Sequence, residues 1–128
     1  MTGLPSDYTR VSCDGLLNPT RYANQSVLLC SEDALGTGGS ITVFRTSNNW
    51  VSAKYVGSVA NDDPLADGSI PSATVRIANS LYISPFFVTD GPVQDTAGNG
   101  TSVPFIDITA KVDALVLPAG AMVSKTFC

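Results

Sequence analysis

The chain has 128 residues, 44% apolar and only 14% charged, which excludes an intrinsically disordered segment and leaves room for one domain with a modest core. Its net charge of −4, with seven basic residues scattered through the sequence, excludes a nucleic-acid footprint. No apolar run approaches the roughly 20 residues of a membrane-spanning helix, and the complete lack of histidine removes Ser-His-Asp triads, Cys-His dyads and His-ligated zinc or iron.

In chain order, Met1 to Asp7 lack the basic and apolar regions of a secretory signal. Tyr8 to Cys13 is a short β-prone run that Asp14-Gly15 is expected to close as a turn, with Leu16 to Pro19 as connector. Arg21 to Ala23 reads as strand, Asn24-Gln25 as a tight turn, and Ser26 to Ser31 as an apolar strand buried on both faces. Gly36 to Gly39 has the glycines of a phosphate cradle, but neither a helix nor a Lys-Ser/Thr pair follows, so it reads as a plain loop.

Ile41 to Thr46 alternates as a half-buried strand, Ser47-Asn48-Asn49 turns, and Trp50 to Val59 returns as its hairpin partner. Trp50, Val51 and Tyr55 read as packing residues, although an aromatic beside a turn can also line a ligand groove. Between residues 60 and 71, Asp62, Asp63 and Asp67 have some flavour of an oxygen-ligand loop; without alternating acids or a distal Glu, a solvated Asx-rich connection is the simpler reading.

Thr74 to Ala78 and Leu81 to Ser84 form the next strand pair, and Pro85 marks a bend or edge before Phe86. Thr89 to Ser102 is a long loop of the kind that carries function. Val103 to Val112 alternates as a strand, Asp113-Ala114 turns, and Leu115 to Leu117 is another short strand, so no helix is expected. The cysteines, Cys13, Cys30 and Cys128, read as buried or terminal thiols, with one disulfide as the alternative and Cys128 as the odd one out. Two Asn-x-Ser/Thr triplets, at Asn24 and Asn99, would accept glycans in a secreted protein.

The stretch Thr20-Arg21-Tyr22-Ala23-Asn24-Gln25-Ser26 returns, altered, as Thr74-Val75-Arg76-Ile77-Ala78-Asn79-Ser80. Each copy leads into an apolar run, a Gly-rich loop and a further β-branched run. One all-β domain over 1–128, with imperfect repeats over roughly 8–59 and 70–117, fits four-stranded antiparallel units of the propeller-blade kind; a β-sandwich or barrel is the alternative. Arg21 and Arg76 recur at one repeat position and are expected to make inter-strand or inter-blade hydrogen bonds to backbone carbonyls. Asn24 and Asn79 also recur together, as turn formers that tolerate the left-handed conformation.

Trp50 to Val59 followed by Ile70 to Ser84 resembles consecutive blades of the six-bladed propellers of the senescence-marker-protein/gluconolactonase-like group. The resemblance implies a channel-bound divalent cation, typically calcium, and hydrolysis of lactones or phosphoesters. Asn24, Asn79, Asp14 and Asp33 are the ligand candidates by position. Two blades cannot close a ring, so a homo-oligomer or a longer chain would complete it. The expected function is therefore a binding or structural segment for a small-molecule ligand. The alternatives are a calcium-dependent lactonase or esterase and a sandwich that binds protein or sugar, with Tyr22, Trp50, Tyr55 or Tyr82 as aromatic platforms.

Overall fold

The computed structural model describes residues 2–6, 12–33, 38–87 and 103–117. Strand is the main regular structure among these residues, as the sequence predicts. The first sheet is an antiparallel meander in the order β1-β2-β3-β4, formed by β1 (Ser12–Leu17), β2 (Val27–Asp33), β3 (Ser40–Arg45) and β4 (Lys54–Ala60). The second holds β5 (Ile70–Ile77), β6 (Ser80–Phe86) and the two-residue β7 (Ile106–Asp107) in the order β5-β6-β7, and a helix, α1 (Thr109–Val116), follows. Neither sheet closes on itself.

Period-two alternation places Val27 and Leu29 of β2 beside Ile41 and Val43 of β3 on one buried face. Leu81 and Ile83 of β6, Ile106 of β7, and Val112 and Val116 of α1 join them in a single core. Each such side chain contributes about 1.5–3 kcal/mol by leaving water, so this cluster is the main source of stability. β5 approaches β1 closely enough that a Cβ on Gly15 would sit 3.0 Å from the Ser72 carbonyl oxygen. Between β2 and β5 the buried Ser31 and Thr74 hydroxyls share a hydrogen bond of 3.2 Å.

Several local expectations fail for identifiable reasons. β1 runs straight through Asp14-Gly15, absorbing them in a bulge between Cys13 and Gly15 instead of turning. That register brings Cys13 to Cys30, and the two form a disulfide across β1 and β2 with Cα atoms 5.8 Å apart. The thiol reading is thus corrected for both; Cys128 lies outside the described residues. Arg21 to Ala23 is a turn leading into a 3-10 turn at Ala23–Gln25, not a strand, because Asn24 and Gln25 both take left-handed φ (56° and 48°). Strand β4 starts only at Lys54. Thr46 Oγ1 accepts the N–H groups of Asn48 and Trp50 and donates to the Ser52 carbonyl, which holds the preceding residues in a turn and leaves Val51 exposed instead of packed.

Pro85 sits in β6 where β7, paired only with Tyr82 and Ile83, does not reach. It faces Pro71 of β5, so two residues without N–H donors share one rung of the ladder, the edge position that the sequence suggests. Asp63 behaves as an Asx cap, accepting the Leu65 N–H at 2.9 Å ahead of the turn at Pro64–Ala66. The long loop over Thr89 to Ser102, with its Asn99 triplet, lies outside the described residues.

The largest departure is α1, which occupies an expected strand and turn. Buried positions at Ile106 and Ile108 fit a strand, but Ile108, Val112 and Val116 recur four apart, which fits one face of a helix equally well. Asp107 decides between them locally: its carboxylate accepts the Thr109 N–H at 2.9 Å and starts the turn. Thr109 in turn accepts the Leu81 N–H through Oγ1, which ends β7 pairing. The helix docks where β4 carries Gly57, whose Cβ, if present, would lie 2.7 Å from Leu115 Cδ2.

The repeat is therefore half visible in space. Ala-Asn opens a turn before β2 and before β6, but Thr74 to Ile77 is strand where Thr20 to Tyr22 is turn. The second unit has three strands and a helix among the described residues where the first has four strands.

Candidate functional site

Two side-chain constellations grow from the turn at residues 21–26. The inner one is a clamp. The Arg21 guanidinium reaches Asp113 of α1 through both Nε (2.9 Å) and Nη2, and donates through Nη1 to the Asn79 carbonyl at 2.7 Å. The buried Tyr22 donates its hydroxyl to Asp113 Oδ1 at 2.7 Å. Arg21 thus bonds a backbone oxygen of the other unit as expected, whereas Arg76 donates only to the Ala78 carbonyl two residues on, a local turn contact and not the expected inter-strand one.

Burial opposes ionisation of Asp113, yet the hydrogen bonds from Arg21 and Tyr22, with the Arg21 charge, hold its carboxyl below the usual carboxylate range. Tyr22 is pushed well above an ordinary phenol, first by burial and then by its bond to Asp113. Arg21 is raised chiefly by its hydrogen bond to the same carboxylate. Every charge in the clamp has a partner, so its work is to lock the first sheet, the β5–β6 turn and α1 together.

The outer constellation is an open cleft of about 510 Å³. The turn supplies Ala23, Asn24 and Ser26; the end of β3 and the residues after it supply Arg45, Thr46 and Ser47; β4 supplies Lys54 and Val56. Arg45 and Lys54 are directly opposite each other in the β3–β4 register, an arrangement of like charges that costs stability. Arg45 donates through Nη1 to the Val116 carbonyl at 2.8 Å, at the C-terminal end of α1. Among the described residues neither cation is paired with a carboxylate, and no acid lines the cleft.

Most of the left-handed backbone lies beside the cleft, whose lining includes Asn24 but not Gln25, Asn49 or Trp50. Of the five non-glycine residues with positive φ among the described residues, four are the consecutive pairs Asn24-Gln25 and Asn49-Trp50. The pairs are tied to each other and to the cleft: Trp50 Nε1 donates to the Gln25 carbonyl at 3.2 Å, Trp50 N to Thr46 Oγ1 at 3.0 Å, and Thr46 N to the Ser26 carbonyl at 2.9 Å. Trp50 is 39% exposed, not packed in the core.

The oxygen-ligand candidates separate into pairs. Asn24 lies in the turn before β2 and Asp33 at the far end of that strand, ~20 Å away at the usual strand rise. Asn79 shares the Asn24 end through its contact with Arg21, whereas Asp14 sits beside the Asp33 end, in the β1 bulge. The four do not fit one calcium ion. Asn24 takes the left-handed turn conformation expected of it; in the second copy Ala78, not Asn79, does so (φ 54°). Among the described residues no group of three or more Cys, Asp or Glu is placed to hold a metal.

The sequence singles out Asn24 and Trp50 but misses Arg45 and Lys54. Their signal lay in the hairpin: once the turn is extended to residues 46–53, the flanking cations must face each other. Comparison of the chain with family models, with curated proteins and with solved structures found no match.

Proposed function

We propose that the chain is a binding module whose ligand carries a negative charge and occupies the cleft between the turn at residues 23–26 and the end of the β3–β4 hairpin. The observation that carries this reading is the pair Arg45 and Lys54, opposed across the ladder and, among the described residues, without a carboxylate in a cleft free of acids. An anion between them would convert a repulsive pair into two charge-assisted contacts, each worth about 0.2–1 kcal/mol at an exposed site. With Nη1 held by the Val116 carbonyl, the Arg45 side chain is fixed in place before ligand arrives. The left-handed residues beside the cleft support the same reading, since strain of this kind persists where function requires it.

The test is thermal denaturation at low salt with inorganic phosphate, sulfate and acetate. The anions should raise the melting temperature of the parent chain, and Lys54→Ala should abolish the rise. An unchanged melting temperature with all three would sink the proposal. Added sodium chloride should weaken the effect, because an exposed site is screened over a Debye length of ~8 Å at physiological salt.

One observation favours a second reading, assembly with another copy. β7 pairs only with Tyr82 and Ile83, so residues 84–86 of β6 have no ladder partner on that side among the described residues. A strand from a second chain would complete the sheet. A monomeric mass by light scattering across a range of concentrations would rule it out.

A further inference from the structure

Resting on the anion-binding reading above, we propose that the ligand of the cleft is a carboxylated sugar, its carboxylate held by Arg45 and Lys54 and its ring laid against the indole of Trp50. Trp50 is the single tryptophan of the chain. Its backbone is left-handed, with φ 66°, and Asn49 before it has φ 52°. For a bulky aromatic residue this conformation is a marked outlier, and it is held in place from both ends. The Thr46 hydroxyl, in the cleft wall, accepts the Trp50 backbone N–H, and the Gln25 carbonyl, between Asn24 and Ser26 of the opposite wall, accepts the indole N–H. The indole is thus tied to both walls, next to the lining residues without being one of them, with its polar atom already satisfied and apolar surface exposed.

The remaining lining selects among anions. Asn24, Ser26 and Ser47 offer amide and hydroxyl groups, while Ala23 and Val56 are the apolar contributors. Amides and hydroxyls beside one aromatic face match a ring that carries C–H groups on one side and hydroxyls around its edge. A nucleobase needs stacking or apolar surface together with groups matched to its edge, and this cleft has no aromatic residue in its lining and one, Trp50, bonded beside it. Its volume of about 510 Å³ falls within the ~300–1,000 Å³ typical of small-ligand pockets.

The experiment is a titration of the intact chain with galacturonate, galactose, acetate and adenosine monophosphate, followed by Trp50 fluorescence and by calorimetry. Galacturonate should perturb Trp50 emission and bind at least about tenfold more tightly than acetate or galactose, the increment of one good contact. Lys54→Ala should remove that advantage over galactose. By calorimetry Trp50→Ala should remove the advantage over acetate, with Trp50→Phe retaining part of it; circular dichroism confirms that each variant is folded. If acetate binds as well as galacturonate and Trp50→Phe changes neither, the sugar assignment is overturned while the anion site stands. Tighter binding of adenosine monophosphate than of galacturonate also overturns it. If no anion binds, and Lys54→Ala leaves every titration unchanged, both readings fall.

Discussion

The turn at residues 21–26 uses charge in two opposite ways within six residues. On its inner side Arg21 finds a bidentate carboxylate, a backbone carbonyl and a phenol sharing the same acid. On its outer side Asn24 and Ser26 share a cleft with Arg45 and Lys54, two cations set against each other with no acid between them among the described residues. A fold that needed only rigidity would complete the second group as it completed the first. On the proposed reading, the difference separates charge that holds the structure from charge that is available to a ligand.

The largest expected effect breaks the inner side. Asp113→Ala leaves Arg21, whose side chain is only 13% exposed, and the Tyr22 hydroxyl without their acid, and should lower stability by about 3–4 kcal/mol in urea unfolding. Removal of the Cys13–Cys30 bridge by double serine substitution should cost about 3 kcal/mol, the value for a closed loop spanning 17 residues. It should do so without altering anion binding, because the bridge lies on β1 and β2 away from the cleft.

pH sharpens the comparison. The folded-state pKa of Asp113 lies below its unfolded value, so its contribution is present above the ordinary carboxylate range and is lost as pH falls through the depressed value. Tyr22 has the reverse sign: its raised pKa adds stability that is complete below the ordinary phenol value near 10 and is lost as pH rises beyond it. Asp113→Asn should flatten the acid limb of a stability-against-pH curve, and Tyr22→Phe the alkaline limb.

Smaller effects separate strain from site. Ala78→Gly relieves a left-handed residue at the β5–β6 turn, away from the cleft, and should raise stability by about 1 kcal/mol with ligand affinity unchanged. Lys54→Ala removes the opposed charge and should change stability by no more than ~0.5 kcal/mol, in the stabilising direction, while anion binding is lost. A large destabilisation from Lys54→Ala would erase the distinction between the two sides.

The strands β2, β3, β5 and β6 were legible because each is a β-branched or alternating run bounded by turn residues. The helix was hidden by its own spacing: Ile108, Val112 and Val116 satisfy periods of two and of four alike, and the tie-breaker, Asp107 accepting from Thr109, reads as ordinary strand sequence. The disulfide was hidden by Asp14-Gly15, a turn dipeptide that the β1 ladder takes up as a bulge. Of the site, Asn24 and Trp50 stood out as a turn former and an aromatic beside a turn. Arg45 and Lys54 did not, because their meaning comes from cross-strand register, which depends on where the turn ends.

The clamp also sets an order of events for the nascent chain. Arg21 and Asp113 are separated by 92 positions, so the first sheet can pair its neighbours long before its acid exists. During synthesis Arg21 and Tyr22 wait for nearly the whole domain to emerge, and α1 then docks on Gly57 and closes the structure in one late step. A chain stopped before α1 would carry both sheets yet lack the clamp, leaving the eight residues of that helix to decide whether the earlier ones stay folded.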